Sequence, residues 1–307
     1  MDLHHLRYVV ALAEEASFSR AAARLGVAQP SLSQQIKKLE TDVGRPLFDR
    51  LPRRVVPTQA GQRLIAHARL ILAHFADAVR HVGETDGQVA GPVSVGAIPT
   101  IAPFVLPGLL TELARKHPDV RPQVVEDVTD RLIEMVERGD LDVAILSSHP
   151  GGRTVHVERI ATEPLLLMVG PRHRLAKAKS VAPEQLAGER LLVLHEMHCL
   201  SGQVRKVCDR RRLSPAVVMR GAQLATIAGM VGAGLGVSIV PEMMRGAGGG
   251  AAGVGRQRCA FVPLAKDDPT REICAAWSLL RYRTSAARAV VDMLRARLGA
   301  GRDIMSS

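Results

Sequence analysis

Residues 18–40 read FSRAAARLGVAQPSLSQQIKKLE, and this stretch decides the fold of the amino-terminal part of the chain. Its first eight residues are rich in alanine, which favours a helix, and Gly26 supplies a helix stop. In the residues that follow, Leu32, Ile36 and Leu39 recur at the spacing of one helix face. Two short helices separated by a tight glycine turn predict a helix-turn-helix.

The second of these helices shows serine, glutamine and lysine side chains on the face opposite its leucines. Serine and glutamine hydrogen-bond base edges or phosphates and lysine neutralises phosphate, so this face is typical of a helix that enters the major groove of DNA. Two packed helices with a solvated polar face would give the same pattern. The residues predicted to contact DNA in this segment are Ser19, Arg20, Gln29, Pro30, Ser31, Ser33, Gln34 and Lys37.

A basic segment follows at residues 44–58. It consists of two short extended pieces, GRPLFDR from Gly44 and RRVVPT from Arg53. We expect a hairpin beside the helix-turn-helix, which is a winged motif. We expect its arginines to contact the DNA backbone or the minor groove. These arginines are Arg50, Arg53 and Arg54.

A long helical pattern runs from Thr58 to about His81 and carries an apolar stripe. A helix of ~25 residues that leaves a small domain needs a partner for such a stripe, and a second copy of itself is the simplest one. We therefore predict a dimerisation helix, with packing of the helix on its own domain as the alternative. Residues 83–91 have the polar, glycine-containing composition of a linker.

From Pro92 the pattern predicts alternating strands and helices, which implies an α/β domain with a mostly parallel sheet. Ligands bind at the strand ends of such folds, so Ile98-Pro99-Thr100 marks a candidate site. The predicted strands are 93–98, 120–125, 141–146, 164–169, 191–194, 236–240 and 273–279, and the predicted helices are 102–116, 129–138, 222–233 and 285–298.

The composition of the 307 residues is that of an ordinary globular protein. The net charge of +11 suggests a polyanionic partner, but residues 1–90 hold 12 basic and 9 acidic residues, so only +3 of that charge lies near the helix-turn-helix. The amino terminus shows no secretory signal, and prolines or glycines interrupt the long uncharged stretches 91–110 and 221–241. We therefore expect a cytoplasmic protein without a membrane span, in which the four cysteines start reduced.

The amino-terminal motifs resemble those of LysR-type transcriptional regulators, and the resemblance extends over nearly the whole chain. It implies an N-terminal winged helix-turn-helix with a long linker helix, then a periplasmic-binding-protein-like effector domain of two α/β subdomains. It implies a homodimer or homotetramer on double-stranded promoter DNA, with RNA polymerase as a further partner, no cofactor or metal, and no enzymatic activity. The implied ranges are 1–60 for the winged domain, 58–90 for the linker helix and hinge, 91–165 with 268–300 for subdomain I, and 166–267 for subdomain II.

Within that family the chain is similar to the regulators that sense hydrogen peroxide. The segment that carries this similarity is HCLSGQVRKVC, from His198 to Cys208. The chain departs from that subfamily at Ser201-Gly202 and at Val218, which puts its peroxide sensitivity in question. The resemblance implies a peroxide-reactive cysteine, a disulfide partner and a polar pocket, and the residues concerned are Cys199, Cys208, Thr100, Thr129, His198, Gln203 and Arg271.

Only the thiolate form of cysteine reacts usefully with peroxide, and cationic neighbours such as His198, Arg205 and Lys206 favour that form. Attack on peroxide gives a sulfenic acid, which a second thiol condenses to a disulfide. Nine helical steps at ~1.5 Å would separate Cys199 and Cys208 by roughly 13 Å, whereas a disulfide needs Cα atoms within about 7 Å. If the segment is helical when reduced, oxidation must unwind it.

Three other functions fit parts of the pattern. A LysR-type regulator of a small metabolite would hold an organic anion, with Cys199 incidental. A thiol peroxidase would need no winged domain, and a solute-binding receptor would need a secretion signal. Zinc binding by the histidines and cysteines of residues 195–208 matches no common zinc spacing, and Cys259 and Cys274 are expected to be structural.

Overall fold

The computed structural model describes residues 1–52, 54–83, 88–147, 152, 154–194, 200–204, 216–221, 223–246, 259–265 and 269–299. They form two compact units, one built mainly from residues 1–85 and the other from the residues that follow. Among the described helices, none combines the length and the apolar character that crossing a bilayer requires.

The amino-terminal unit is the predicted winged helix-turn-helix with a long helix. Its elements are α1 (Leu3–Glu15), α2 (Phe18–Leu25), α3 (Gln29–Val43), the antiparallel strands β1 (Phe48–Leu51) and β2 (Arg54–Pro57), and α4 (Gln59–Gly83). Ser17 caps α2 by accepting a hydrogen bond from the Arg20 N–H. Gly26 and Gly44 end α2 and α3 with φ of +67° and +74°, a left-handed conformation that glycine adopts without strain.

The hairpin is tied to the helices by backbone groups. The Glu40 carboxylate of α3 accepts hydrogen bonds from the N–H groups of Leu47 and Phe48 at 2.8 and 3.2 Å. The Val55 N–H donates to the Ala16 carbonyl at 2.9 Å. These bonds position the hairpin directly beside the helix-turn-helix, which is the winged arrangement that the sequence predicts.

Helix α4 buries only the first part of its apolar stripe within the described part of the winged unit. Ile65 and Ala68 are 6% and 0% exposed, whereas Ile71, Phe75 and Val79 are 44%, 44% and 60% exposed. The exposed part still needs a partner, so self-association through α4 stays a prediction that this exposure supports.

The second unit is α/β, as predicted. Its elements are β3 (Gly91–Ala97), α5 (Ala102–Lys116), β4 (Val120–Glu126), α6 (Thr129–Arg138), β5 (Val143–Leu146), β6 (Val155–Val169), a 3₁₀ turn (Pro183–Leu186), β7 (Arg190–Leu194), the helical residues 200–204 (α7), β8 (Ala216–Gly221), α8 (Leu224–Gly232), β9 (Ser238–Pro241), α9 (Met243–Gly246), β10 (Ala260–Pro263), β11 (Thr270–Ser278) and α10 (Ser285–Gly299).

The prediction of a mostly parallel sheet is wrong. The main sheet has the order β10-β6-β11-β5-β3-β4, with β9 also on β6, and β6 pairs antiparallel with β9, β10 and β11. Among the described strands, parallel pairing joins β3 to β4, β3 to β5 and β7 to β8. The cause is that β6 carries the chain from one core to the other and β11 returns it, so these two strands run side by side in opposite directions.

Two apolar cores lie along these strands. One draws on residues 93–161 and 273–294, and the other draws on residues 165–264. Strand β6 contributes Ala161 to the first and Leu165 to the second. This division supports the predicted subdomain boundaries near residues 165 and 268, which stay a prediction.

Candidate functional site

Arg271, near the start of β11, lies at the centre of a buried polar cluster and is only 1% exposed. Its Nε donates to the Glu163 carboxylate on β6 at 2.6 Å. Nη1 donates to Thr100 Oγ1 and Nη2 donates to the Thr100 carbonyl, both at 3.0 Å. A buried guanidinium is costly unless it is paired and hydrogen-bonded, and this cluster provides both.

Glu163 has a second contact that extends the cluster to α9. Its Oε2 accepts the Met243 backbone N–H at 2.9 Å, and the Met243 sulfur lies 3.3 Å from Arg271 Nη2. Glu163, itself 8% exposed, therefore fixes the guanidinium and the start of α9 at once. The cluster joins four segments: the residues that follow β3, strand β6 itself, the start of α9, and strand β11.

Three hydroxyl side chains follow the ends of the parallel strands β3, β4 and β5. Thr100, Thr129 and Ser147 come just after these ends and are 2%, 7% and 2% exposed. Because the strands are parallel and adjacent, their ends meet at one edge of the sheet. Ile101 is the N-cap of α5 and makes no side-chain cap, so Thr100 does not serve as a helix cap.

Gln203 on α7 reaches the same edge. Its Nε2 donates to Ser147 Oγ at 3.1 Å and to the Ser147 carbonyl at 3.3 Å. Its Oε1 is buried and accepts no hydrogen bond from the described residues. Leu200 and Val204, on the same short segment, are buried in the second core. The amide thus holds α7 on the end of β5 and leaves one acceptor unused.

The predicted redox cysteines, Cys199 and Cys208, and the adjacent His198 lie outside the described residues. Arg53, a predicted DNA contact, also lies outside them. The other cysteines are described. Burial raises the pKa of the Cys274 thiol to about 11 and also raises the pKa of the half-buried Cys259 thiol. Both thiols are therefore poor nucleophiles at neutral pH, in agreement with the structural roles predicted for them.

The predicted DNA contacts lie on the winged unit. Ser33 is half-buried, and the remaining described ones are exposed, namely Ser19, Arg20, Gln29, Pro30, Ser31, Gln34, Lys37, Arg50 and Arg54. Two of the arginines are held by neighbours. Arg50 lies over the Phe18 ring at 4.9 Å with its Nη1 3.4 Å from Ser33 Oγ, and Arg20 is paired with Glu15.

Sequence reasoning missed Ser147, Glu163 and Met243. Ser147 directly follows a buried strand, so the rule that selected Thr100 would have found it. Glu163 precedes the apolar run 164–169, where an isolated carboxylate signals a buried partner. Its contact with Arg271 spans 108 positions, and no local pattern reveals such a pair.

Comparison with known proteins establishes the class. Residues 3–62 match the helix-turn-helix domain of bacterial regulatory proteins of the lysR family, and residues 86–299 match the LysR substrate binding domain. The chain belongs to the LysR family of transcriptional regulators.

Within that family the chain is similar to OxyR proteins. It is 31% identical over 300 residues to the DNA-binding transcriptional dual regulator OxyR of Escherichia coli K12, covering 97% of this chain and 96% of that protein. It is 33% identical over 281 residues to the hydrogen peroxide-inducible genes activator of Pectobacterium carotovorum, covering 90% of each.

Solved structures of OxyR proteins are also similar to this chain. Full-length OxyR of Pseudomonas aeruginosa, as a cysteine-to-aspartate variant, superposes with a TM-score of 0.78 at 32% identity, covering 96% of this chain and 98% of that one. A cysteine-to-serine variant of Corynebacterium glutamicum OxyR with hydrogen peroxide bound gives a TM-score of 0.64 at 29% identity, covering 97% and 93%.

Proposed function

We propose that this protein is a hydrogen peroxide-responsive, DNA-binding transcriptional regulator of oxidative-stress genes. Cys199 would be the peroxide-reactive thiol and Cys208 its disulfide partner. The protein would act as a homodimer or homotetramer on promoter DNA and would communicate with RNA polymerase. The similarity to OxyR proteins supports this proposal.

The observation that carries the proposal is the buried polar edge formed by Thr100, Ser147, Gln203 and Arg271. Thr100 Oγ1 already accepts a hydrogen bond from Arg271, so its own hydroxyl proton is free to be donated. Gln203 Oε1 is a buried acceptor without a partner among the described residues. One donor and one acceptor match hydrogen peroxide, since each of its oxygens both donates and accepts.

This edge disfavours the competing proposal of a metabolite-binding regulator. An organic anion would need an available cation, but the Arg271 charge is balanced by Glu163 at 2.6 Å. A small, neutral effector that carries hydroxyl groups fits this site better than an organic anion, because the charges of the site already balance. Cys199 directly precedes the helical residues 200–204, so in sequence it adjoins the segment that Gln203 anchors here.

The chemical step oxidises two thiols and reduces one peroxide. The Cys199 thiolate attacks one peroxide oxygen, the O–O bond breaks, and the hydroxide that leaves takes up a proton as water. The resulting sulfenic acid is then attacked by the Cys208 thiolate; the S–S bond forms, the S–O bond breaks, and the hydroxide that leaves takes up the proton lost by the Cys208 thiol to give a second water. Donation by Thr100 would stabilise the departing hydroxide, and Thr129 and His198 would complete the pocket.

The switch follows from the anchoring of α7. Leu200 and Val204 are buried in the second core and Gln203 is bonded to Ser147, so the start of the 200–208 segment is held in place. If residues 200–208 are helical in the reduced protein, bringing Cys208 to within about 7 Å of Cys199 would strain or release these contacts. Release would change the surface of the effector domain and thereby the assembly on DNA.

The test is a thiol titration of the full reduced chain with one equivalent of hydrogen peroxide per chain. We expect two of the four thiols to disappear, with peptide mass spectrometry joining Cys199 to Cys208. The variant Cys199→Ser should lose none, and Cys274→Ser should lose two like the wild type. Retention of all four thiols in the wild type would favour a metabolite-sensing regulator. Continuous peroxide consumption with an added reductant would favour a thiol peroxidase.

A further inference from the structure

The carboxylate of Glu14, at the end of α1, joins three helices of the winged unit. Its Oε2 lies 2.7 Å from Arg24 Nη1 on α2, and its Oε1 lies 3.0 Å from Arg69 Nη2 on α4. The hydrogen bond to Glu14 is the main reason that the pKa of Arg24 is raised. Each carboxylate oxygen therefore binds a different helix, and one of those helices is the linker.

The Arg69 contact is more than a loose surface pair. The Arg69 side chain is 17% exposed, and its Nε is buried without a hydrogen-bond partner among the described residues. Glu14 thus provides the counter-charge for a largely buried guanidinium. Removing the carboxylate would leave that charge poorly compensated, which costs more than the loss of an exposed ion pair.

The Glu14–Arg69 pair lies on α4 at the boundary between its buried and its exposed apolar residues. Ile65 and Ala68, before Arg69, are buried, whereas Ile71 and Phe75, after it, are exposed. Apolar packing is not directional, whereas a charge-assisted hydrogen bond is, so the Glu14–Arg69 contact restrains the angle between α1 and α4 more sharply than the burial of Ile65 and Ala68 does. The Glu14–Arg69 contact lies where the linker helix leaves the unit and opposes rotation of α4 against α1, while the Glu14–Arg24 contact holds the same carboxylate on α2.

We propose that Glu14 is a positioning residue that fixes the angle between the linker helix and the helix-turn-helix, and thereby sets the separation of the two DNA half-sites that a dimer accepts. The inference rests on the proposed function of a dimeric DNA-binding regulator. A rotation of ~10° moves a recognition helix ~20 Å from the pivot by roughly 3.5 Å, which is about one base-pair step. A small change of this angle therefore corresponds to a change of half-site spacing.

The neighbouring acid, Glu15, provides a matched control. It also contacts Arg24, at 3.4 Å, and it pairs with Arg20 at 3.5 Å, and among the described residues both of these ion pairs involve α2 rather than α4. Neutralising Glu15 removes the ion pair of Arg20, a predicted DNA contact, so Glu15→Gln should strengthen binding to every DNA by a similar factor. Neutralising Glu14 should instead change the dependence on spacing.

The experiment first selects a preferred duplex from a random library with the full-length wild-type chain. Affinities are then measured for that duplex, for versions with the half-sites one base pair closer or farther apart, and for a duplex with a single half-site. We expect Glu14→Gln to bind the single half-site within about twofold of wild type and to reduce the preference for the selected spacing by roughly threefold or more. Arg69→Gln should have the same effect, and the double variant should add little to either single change.

Two results would overturn the inference. An equal loss of affinity at all spacings would mean that Glu14 acts only on stability, and a Glu14→Gln spacing preference equal to that of wild type would mean that it does not set the angle. If the wild-type chain selects no duplex at all, the proposed function fails and this inference fails with it.

Discussion

The winged unit and the effector unit present their functional side chains in opposite ways. In the winged unit, nine predicted DNA contacts are exposed and come from residues 19–54. In the effector unit, Arg271, Thr100 and Glu163 are buried and come from positions up to 171 apart. The exposed face is built from residues that lie close together in sequence, whereas the buried cluster forms only when the whole domain has folded.

This difference predicts how each region tolerates change. Exposed contacts to phosphate act through charge, so their loss weakens binding in steps without unfolding the domain. Buried hydrogen-bonded charges are satisfied only as a set, so removing one member leaves its partners unpaired. The following changes test that contrast, from the largest expected effect to the smallest.

Replacing Arg271 by leucine should lower the free energy of unfolding of the effector unit by about 3–5 kcal/mol, because Glu163 would stay buried without its cation. The single tryptophan, Trp277, lies on the same strand and reports unfolding in denaturant by its fluorescence. The control Arg245→Leu, at an exposed position on α9, should change stability by less than about 0.5 kcal/mol. Equal midpoints for the two variants would show that the buried cluster does not stabilise the fold.

Replacing Gly61 by alanine should destabilise the winged unit by about 2–3 kcal/mol. A Cβ at this position would lie 2.0 Å from the Leu47 carbonyl oxygen, so the backbone must shift. The control is Gly83→Ala on the same helix, where a Cβ meets nothing within 4 Å. Calorimetry of the full chain should show a lower transition for the first variant alone; unchanged melting of Gly61→Ala would contradict the close approach of α4 to the hairpin.

Replacing Cys274 by alanine should cost only about 1 kcal/mol and leave the peroxide response intact. Its pKa of about 11, raised by burial, keeps the thiol protonated near pH 7, so alkylation by iodoacetamide should be slow at pH 7 and should accelerate steadily as the pH rises towards that value. Peptide mass spectrometry after timed alkylation measures this directly. Rapid labelling of Cys274 in the folded chain at pH 7 would show that burial does not protect it.

The smallest effect concerns Glu158 and Arg295, which join β6 to α10 through two contacts of 2.7 Å. The hydrogen bond from Arg295 lowers the pKa of Glu158 below its ordinary value of 4.5, so the pair stabilises the folded state above that pH and this stability is lost as the pH falls through the lowered pKa. Because both groups are partly exposed, Arg295→Gln should cost at most about 1 kcal/mol at pH 7. Denaturant unfolding of wild type and Arg295→Gln at pH 7 and below pH 4 checks this. A stability difference between the two proteins that grows on acidification would contradict the prediction.

The winged unit was predictable from sequence because its signals are local. Gly26 and Gly44 end helices where left-handed backbone is required, and the apolar positions Leu32, Ile36 and Leu39 are 0–1% exposed. Helix boundaries in the effector domain were also close, with α5 beginning and ending where the pattern placed it. Such features depend on propensity and periodicity over a few residues.

The rest depends on contacts that no local window contains. The antiparallel pairing in the main sheet was missed because β11 pairs with β6 across more than a hundred residues. Thr100 was selected by its place at a strand end and by the family resemblance, and Arg271 by the resemblance alone; their direct contact is a result of the fold. The pairing of Glu163 with Arg271 became visible only once β6 was placed beside β11.

The most direct test of the proposed peroxide switch is a footprint on the duplex that the wild-type chain selects, recorded before and after one equivalent of hydrogen peroxide. We expect the protected region to change for wild type and for Cys274→Ser, and to stay unchanged for Cys199→Ser and Cys208→Ser. A Cys208→Ser footprint that changes as the wild-type footprint does would contradict the disulfide switch.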